Sequence, residues 1–397
     1  MRSSIIIIFI FLIITTLPDI VLFARWIKPT KKEWLKKLHW IIYSIFIAGI
    51  LALLFILPNI QNEIFLELFI WFNWLLLTIY IPKFLLTLFL LLNGVIFHFS
   101  GKKFQIVTYS GIFLAVITFF GFVYGAFIGR FDTEVTHIEI KSSSLPKAFN
   151  GLKIVQLSDL HIGSLGSNSS YWAKAVDLCN RENPDLVVMT GDMMDNFATE
   201  LNPKIIKTFR QLNANLGKYS ILGNHDYGDY TKWKSPEAKK ANLDSLIERE
   251  KQMGFLMLMD EHLFVQKGQD TLVIAGVQNW SKPPFHCYGN LAKAMKGADR
   301  YPYVLLLSHD PNHWMAQVVK YPNIRLMLAG HTHGMQLGIR KFGLHWSPAQ
   351  WVFKQWDGLY SYNNKSLYVN RGLGYLGIPM RLGMPPEITV ITLKTNQ

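Results

Sequence analysis

Residues 152–161, LKIVQLSDLH, decide the fold of this 397-residue chain. The apolar run 152–157 has the composition of a buried strand, and it ends directly in Ser158, Asp159 and His161. Apolar runs at 186–190, 219–222, 303–307 and 325–329 end in polar residues in the same way, and the runs 272–277, 367–370 and 388–393 predict further strands. In α/β sheets, ligands bind beyond the carboxyl ends of the strands. The sequence therefore predicts an α/β domain whose site is assembled from five loops.

The five loops hold four imidazoles, two carboxylates and one amide, at Asp159, His161, Asp192, Asn224, His309, His331 and His333. Each position alone is a weak signal, because a histidine beside a strand is more often a hydrogen-bonded loop residue than a ligand. Together they form a set of hard oxygen and borderline nitrogen donors without a thiolate, which suits Mn²⁺, Fe²⁺ or Zn²⁺. We therefore predict a site for two divalent metal ions.

The order of the loops resembles the pattern of the calcineurin-like metallophosphoesterase superfamily, namely DxH at 159–161, GDxxD at 191–195, GNHD at 223–226, a separate His309 and GHxH at 330–333. The later stretches YVNRGLG (368–374), RLG (381–383) and PEI (386–388) look like the membrane-tethered branch, the transmembrane proteins with a metallophosphoesterase domain. The resemblance implies a four-layer α/β/β/α sandwich of two mixed sheets. It also implies hydrolysis of a phosphoester or pyrophosphate by a metal-bound hydroxide.

Carried over position by position, the resemblance assigns Asp159, His161, Asp192 and His333 to the first metal and Asp192, Asn224, His309 and His331 to the second. Asp192 would then bridge the two ions. His225 and Asp226 are the implied catalytic pair, with His225 near the leaving group as proton donor or charge stabiliser and Asp226 holding it in orientation.

Three other residues near these motifs have more than one interpretation, and two more need comment. Asp195 could orient its loop or a ligand histidine, or simply cap a turn. Arg371 and Arg381 could contact substrate phosphate through a bidentate fork, or serve as an ion pair or loop anchor. Members of the branch typically read GHTHGGQ, whereas this chain has Met335 at the second glycine, so we expect the loop beyond His333 to adopt positive φ less freely. His313 lacks the strand-end position and is not predicted to be a ligand.

The composition separates residues 1–130, with 11 Lys/Arg and 4 Asp/Glu, from residues 131–397, with 29 and 23. Apolar runs at 4–24, 38–57, 64–99 and 106–129 predict membrane spans, since about 20 helical residues cross the hydrocarbon core. The first run is too long for a signal peptide and lacks an Ala-x-Ala-like cleavage site. Residues 64–99 form either one long span or a hairpin broken near Pro82 and Lys83. We therefore predict a transmembrane region at 1–130, a linker with the first strand at 131–150 and the phosphoesterase domain at 151–397.

The positions of Lys and Arg predict the orientation of a multi-pass protein in the bilayer. The loop 25–37 carries six of them and 58–63 carries none, so the first loop should face the cytoplasm. Four spans, which we prefer, place Lys102 and Lys103 inside and the catalytic domain on the non-cytoplasmic face. Five spans place that domain in the cytoplasm.

A membrane anchor favours a lipid-linked or envelope phosphoester as substrate. The branch is also similar to enzymes that cleave the pyrophosphate of UDP-2,3-diacylglucosamine in lipid A synthesis, a cytoplasmic substrate that fits only the five-span topology. A catalytically silent membrane scaffold is the rival from another class, but the complete ligand set argues against it. A transporter lacks support because inverted repeats are not seen. Nucleic acid is only the third candidate for the substrate, because the basic residues of 131–397 form no runs. The sequence indicates no protein partner.

Overall fold

The computed structural model describes residues 14–56, 63–166, 169–283 and 285–396. The chain forms two compact units that divide near Phe127. The first unit is helical and the second contains all the strands of the described residues.

The helical unit contains the apolar runs that the sequence assigns to the membrane. The predicted span 4–24 lies partly outside the described residues; residues 14–22 are helical and continue into a π-helical turn, Phe23–Ile27. Three long helices follow, α1 (Glu33–Ile56), α2 (Glu63–Ser100) and α3 (Gln105–Phe127). Among the described residues, three helical segments are long and apolar enough to cross a membrane, Glu33–Ala52, Glu67–Ser100 and Gln105–Phe131.

Helix α2 is continuous through Pro82, so the structure does not contain the hairpin that the sequence allowed near Pro82 and Lys83. The charge of Lys83 is neutralised inside the unit, because its Nζ lies 2.8 Å from Oδ1 of the buried Asp19. An intramembrane lysine is costly unless it is paired. The ion pair therefore removes the main reason for expecting a break in the helix.

The second unit consists of two six-stranded sheets with helices outside them. Its strands are β1 (Glu134–Ser142), β2 (Lys153–Leu157), β3 (Leu186–Met189), β4 (Lys218–Ser220), β5 (Phe255–Met257), β6 (Glu261–Lys267), β7 (Asp270–Gly276), β8 (Val304–Leu307), β9 (Ile324–Ala329), β10 (Gly358–Tyr362), β11 (Lys365–Val369) and β12 (Glu387–Thr395). Its α-helices are α4 (Ile162–Leu165), α5 (Ser169–Arg181), α6 (Pro203–Phe209), α7 (Pro236–Gln252), α8 (Leu291–Ala294) and α9 (Asn312–Ala316).

Both sheets are mixed, as the sequence predicts. The first has the order β1-β12-β2-β3-β4-β5, with β12 antiparallel to β2 and the other neighbours parallel. The second has the order β10-β11-β9-β8-β7-β6, with antiparallel pairs at both ends. Strands β2, β3 and β4 are parallel, and so are β8 and β9, so their carboxyl-end loops emerge at common edges.

Side chains that alternate between the two faces of each strand fill the cores that separate the four layers. In β3, Leu186 and Val188 belong to the core between the sheets, whereas Val187 and Met189 pack in the core that contains α5 and α6. The outer core of the second sheet packs against α8 and α9. Successive side chains of a strand point to opposite faces, so each sheet is covered on both sides. This arrangement confirms the predicted α/β/β/α fold.

All eight predicted apolar runs contain strands, with ends that differ by one or two residues. Strands β5, β6 and β10 were not predicted from the sequence. Each of the three lies at the end of a sheet, and β6 and β10 carry many exposed side chains. An edge strand needs less apolar sequence than a central one, so the composition gives a weaker signal.

Candidate metal centre

The backbone of the predicted site is held in unusual conformations. Five of the seven predicted ligands have positive φ, namely Asp159 (50°), His161 (42°), Asp192 (57°), His331 (74°) and His333 (51°). A left-handed backbone costs an L-residue about 1–2 kcal/mol, so such residues persist only where the surrounding structure fixes them. The strain is thus concentrated in the loops that carry the donor atoms.

Close contacts between loops explain how the strained residues are fixed. The Asp159 N–H donates to the Gly191 carbonyl at 2.9 Å, and the His331 N–H lies 3.0 Å from both carboxylate oxygens of Asp159. Gly330 is required here because a Cβ at this position would lie 1.9 Å from Oγ of Ser158. The first and last motifs, 172 residues apart, are therefore joined directly.

The donor atoms converge in three overlapping groups, of which two consist of predicted ligands alone and the third joins His161 and Asp192 to His225. In the first, His333 Nε2 lies 3.3 Å from Asp159 Oδ1, and His161 belongs to the same cluster. In the second, Asp192 Oδ2 lies 3.1 Å from His309 Nε2, and His331 completes the cluster. Asp192 Oδ2 also lies 3.6 Å from His161 Nε2, so this carboxylate faces both groups.

The predicted ligands fit divalent cations, because several of their buried donor atoms have no hydrogen-bond partner among the described residues. These atoms are Nε2 of His161, Nε2 of His333 and Oδ1 of Asn224. Buried polar atoms are nearly always hydrogen-bonded, and an unsatisfied one indicates an ion, a water or a catalytic role. The Asn224 amide is fixed on its other side by a hydrogen bond from Nδ2 to the hydroxyl of Tyr230.

Hydrogen bonds behind the ligands fix the orientation of their rings. Asp195 Oδ1 lies 2.8 Å from Nδ1 of His161, so of the interpretations given to Asp195 this contact supports the one in which it orients the ring of a predicted ligand. Nδ1 of His309 lies 2.7 Å from the Thr190 carbonyl. Because a carbonyl only accepts, Nδ1 carries the proton, and Nε2 has a lone pair that can bind a metal. Such partners orient metal-binding imidazoles in many proteins.

Glu200 supports the same loop, although the sequence analysis did not single it out. Its carboxylate accepts hydrogen bonds from the N–H groups of Gly163, Asp195, Asn196 and Phe197. Burial and the nearby Asp195 carboxylate raise the pKa of Glu200 to about 7. A carboxylate five residues beyond a motif gives no signal in the sequence, because its role depends on loop geometry.

The predicted role of Asp226 is wrong. Its carboxylate does not hold the His225 ring but accepts hydrogen bonds from the backbone N–H groups of Asp192, Met193, Met194 and Gly223. Asp226 therefore fixes the backbone on which the shared carboxylate of Asp192 sits. Burial and repulsion from Asp192 raise the pKa of Asp226 to about 7.

His225 is buried beside the metal ligands and is held by the backbone. Its Nδ1 donates to the Asp195 carbonyl at 2.9 Å, and its ring stacks on Tyr230 with centroids 4.4 Å apart. Because a carbonyl only accepts, Nε2 is the atom that can exchange a proton with a ligand. Burial lowers the pKa of His225.

The charges of the centre are strongly coupled. Burial alone would lower the pKa values of His161 and His309, but the hydrogen bond to Asp195 and the nearby carboxylates raise that of His161 to about 9, while the Asp192 carboxylate raises that of His309 to about 10. Ligands must lose their protons to bind a metal, so protons and cations compete for the same atoms.

Comparisons with known proteins agree with this geometry. Residues 152–335 match a family profile described as "Calcineurin-like phosphoesterase". The chain is 33% identical over 277 residues to the uncharacterized metallophosphoesterase YkuE of Bacillus subtilis, an alignment that covers 70% of this chain and 91% of that protein. The chain belongs to the calcineurin-like phosphoesterases. This membership confirms the predicted class of enzyme, a metal-dependent phosphoester hydrolase.

The helical unit matches a second family profile, and the chain has transmembrane relatives. Residues 1–130 match a profile described as "Probable Calcineurin-like phosphoesterase, transmembrane domain", so this phosphoesterase is a membrane protein. The chain is 31% identical over 280 residues to the transmembrane protein with metallophosphoesterase domain of Danio rerio, covering 68% of this chain and 60% of that protein. The bovine protein of that name is 31% identical over 266 residues, covering 66% of this chain and 57% of the bovine one. Among solved structures, a dimetal phosphatase of Danio rerio aligns with a TM-score of 0.31 and 13% identity over 56% of this chain and 88% of that one.

In this phosphoesterase the two arginines that follow the motifs are buried anchors. Arg371 Nη1 lies 2.8 Å from Asp357 and 3.4 Å from Glu387, and its Nη2 lies 2.9 Å from Glu134. Arg381 donates to the carbonyls of Gly374, Met384 and Arg371, and its Nη2 lies 3.1 Å from Nδ1 of His333. Of the two interpretations given to them, these contacts support the ion pair and the loop anchor.

Met335 and His313 are the two remaining positions that the sequence analysis discussed. Met335 adopts a left-handed conformation with φ 47° and ψ 23°, so the loop reaches positive φ despite the loss of glycine. His313 is buried, with Nδ1 2.8 Å from Ser308 Oγ, Nε2 3.1 Å from Gln317 Oε1 and its ring stacked on Trp280, so its polar atoms are used within the fold.

Proposed function

We propose that this chain is a membrane-anchored phosphoesterase that uses two divalent metal ions to hydrolyse a lipid-linked or envelope phosphoester or pyrophosphate. The observation that carries the proposal is the convergence of donor atoms from five loops, three of which are buried and have no hydrogen-bond partner among the described residues. Asp159, His161, Asp192 and His333 would hold one ion, and Asp192, Asn224, His309 and His331 the other. Two cations supply charge neutralisation for the phosphate and acidify water so that it can attack.

The protein side of the reaction depends on fixed geometry. Asp226 holds the backbone of Asp192 in its left-handed conformation, and Asp195 holds the ring of His161. His225 exposes only Nε2, because Nδ1 is occupied by the Asp195 carbonyl. In the proposed reaction this atom exchanges a proton with the leaving group, or stabilises its charge, beside the residues that would hold the two ions.

The continuity of α2 supports four spans over five. With the basic loop 25–37 in the cytoplasm, four spans would place the phosphoesterase unit on the non-cytoplasmic face. That side favours a phospholipid or another envelope phosphoester. UDP-2,3-diacylglucosamine, a cytoplasmic substrate, is the second candidate and requires the opposite orientation.

Hydrolysis can be tested with the full chain purified in detergent and loaded with Mn²⁺, Fe²⁺ or Zn²⁺. Substrates should include a nitrophenyl phosphodiester, phospholipids and UDP-2,3-diacylglucosamine. Asp192→Asn should abolish hydrolysis, whereas Asp177→Asn, on the exposed face of α5, should retain it. If the wild type binds metal but is as inactive as Asp192→Asn on every substrate, the chain is a silent scaffold instead.

The two cysteines allow a separate test of orientation. Cys287 is exposed and Cys179 is buried, so only Cys287 should react with a maleimide in the folded protein. A membrane-impermeant maleimide added to intact cells should label the chain if the phosphoesterase unit is outside. Labelling only after lysis would support the cytoplasmic orientation, and Cys287→Ser provides the unlabelled control.

A further inference from the structure

The segment that follows the last predicted ligand exposes an unusual number of large apolar side chains. Phe342 is 98% exposed and Trp351 is 73% exposed. Ile339, Leu344, Trp346 and Val352 are also exposed, and Trp346 and Trp351 contact each other with ring centroids 5.8 Å apart. We refer to residues 339–352 as the apolar hairpin. Single exposed apolar residues are common, but a contiguous group indicates an interaction site.

The exposure of the hairpin results from a fixed structure. Ile339 and Trp346 exchange two backbone hydrogen bonds, at 2.8 and 3.0 Å. Arg340 Nε and His345 Nε2 lie 3.1 and 2.7 Å from the buried Asp357. Arg340 and His345 are therefore held at the base of the hairpin by Asp357, whereas Phe342 and Leu344 are exposed at its tip.

The backbone at the tip is strained, and the exposed ring of Phe342 does not pack against the fold in a way that would offset this strain. Phe342 has φ 57°, in the left-handed region that disfavours a bulky residue, and Gly343 follows with φ 76°. A strained residue usually marks a functional constraint. An aromatic ring that is almost fully exposed recovers that cost only when another surface covers it.

The hairpin is attached to the loop that carries two predicted metal ligands. Ser347 Oγ donates to the Gly334 carbonyl at 2.6 Å, immediately beyond His333. The ring of Phe353 lies 5.4 Å from that of His331, at nearly a right angle. A molecule that covers the hairpin would therefore extend from the metal centre.

The charges beside the hairpin indicate the chemistry of its partner. Lys341 and Lys354 are exposed, and among the described residues neither is ion-paired with a carboxylate. Tryptophan and lysine next to bulky apolar side chains are the composition of surfaces that lie at the bilayer interface. Lysines at that depth are attracted to anionic headgroups.

We propose that the apolar hairpin contacts the bilayer and holds the acyl chain of a lipid phosphoester while its phosphate lies at the metal centre. The substrate part of this inference rests on the proposed function, whereas the bilayer contact does not. Phe342, Leu344 and Trp351 are the residues that contact the acyl region. Lys341 and Lys354 lie at the level of the headgroups.

Two substrates that differ only in chain length test the acyl-chain contact. Nitrophenyl methyl phosphate and nitrophenyl dodecyl phosphate share the leaving group and the diester. The full-length wild type should prefer the dodecyl ester by at least tenfold in kcat/KM. Phe342→Ser combined with Trp351→Ser should lose this preference and keep its activity on the methyl ester.

Leu256→Ser, at an exposed apolar position on β5, serves as the matched control and should behave as wild type. Equal activity of the wild type on both esters, or an equal loss on both in the double variant, would overturn the inference.

A second measurement tests the bilayer contact without hydrolysis. In a Cys287→Ser background, a bimane label at Phe342→Cys should be quenched by brominated acyl chains in phosphatidylglycerol vesicles that contain the full chain. The same label at Leu256→Cys should not be quenched. If neither these esters nor the phospholipids and UDP-2,3-diacylglucosamine named above are hydrolysed but Phe342→Cys is quenched, the proposed function fails and the bilayer contact stands. Absence of quenching at Phe342→Cys overturns the contact itself.

Discussion

Nε2 of His309 lies 3.3 Å from Nδ1 of His331. The Thr190 carbonyl accepts a hydrogen bond from the other nitrogen of His309, so the atom that faces His331 carries a lone pair unless a proton is added there. Asp192 Oδ2 lies 3.1 Å from the same atom. Two imidazole nitrogens and a carboxylate oxygen at this separation need a cation or a shared proton between them, and a divalent metal satisfies all three.

The first prediction concerns the metal content of His331→Ala. The variant should bind about one metal ion per chain where the wild type binds about two, because the second group loses a donor while the first stays intact. Hydrolysis should fall by roughly a hundredfold or more, since transition-state charge is stabilised by both ions. The metal per chain can be measured by mass spectrometry of the purified, dialysed protein.

His286→Ala is the matched control for this experiment, because His286 is an exposed histidine outside the cluster. It should retain both ions and full activity. A His331→Ala protein that still carries two ions would show that His331 is not a ligand.

The second prediction concerns Asp195, whose Oδ1 lies 2.8 Å from Nδ1 of His161. Asp195→Asn keeps the shape but removes the charge that orients the ring, so metal affinity should fall by about 10–100-fold. Activity measured against Mn²⁺ concentration should shift to higher metal and recover at saturation. A loss that no metal concentration restores, in a folded protein, would mean that Asp195 acts on the substrate instead.

The ligand positions could be predicted because strand ends are visible in the sequence. A β-branched run followed by Asp or His places that side chain at the sheet edge, and parallel strands bring such edges together. The roles of Asp226 and Arg371 could not be predicted in this way. Asp226 is adjacent to His225 in sequence, yet it bonds backbone groups 32 to 34 residues earlier. Arg371 pairs with Glu134, 237 residues away, a contact that only the tertiary fold creates.

The apolar hairpin shows a second limit of sequence interpretation. Residues 339–352 contain aromatic and basic residues that resemble an ordinary mixed loop. Their significance depends on which side chains turn inward, and Arg340 and His345 do so because Asp357 is fixed by Arg371. Exposure of Phe342 and Trp351 is therefore a property of the folded unit alone.

The third prediction separates the structural and substrate-binding interpretations of Arg371. Arg371→Met leaves the buried Glu387 without its cation and leaves Asp357 with only Arg340 and His345 beside it, which should destabilise the unit by about 3–5 kcal/mol. Thermal unfolding should show a lower Tm, and KM for a phosphoester should be unchanged at a temperature where the variant is folded. Arg300→Met, at an exposed position, should match the wild type. An unchanged Tm with a raised KM would favour phosphate contact.

The last prediction concerns Glu250, a buried carboxyl on α7 with no metal-binding role. Burial, with repulsion from Asp226, raises the pKa of Glu250 to about 8 in the folded chain, against about 4.3 in the unfolded chain. Between these values the folded state binds more protons, so the contribution of Glu250 to stability falls as pH rises through the window and is constant above it.

Glu250→Gln removes this dependence. Its Tm relative to wild type should therefore be higher at pH 8 than at pH 5, by several degrees, since about 1 kcal/mol shifts the Tm of a unit this size by roughly 2–4 °C. Glu248→Gln, an exposed position on the same helix, should show the same difference from wild type at both pH values. Groups that do not interact with Glu250 titrate alike in variant and wild type and cancel in the comparison, whereas Asp226 loses a repelling neighbour in the variant. A pH-independent difference for Glu250→Gln would mean that Glu250 is already ionised in the folded state at pH 5.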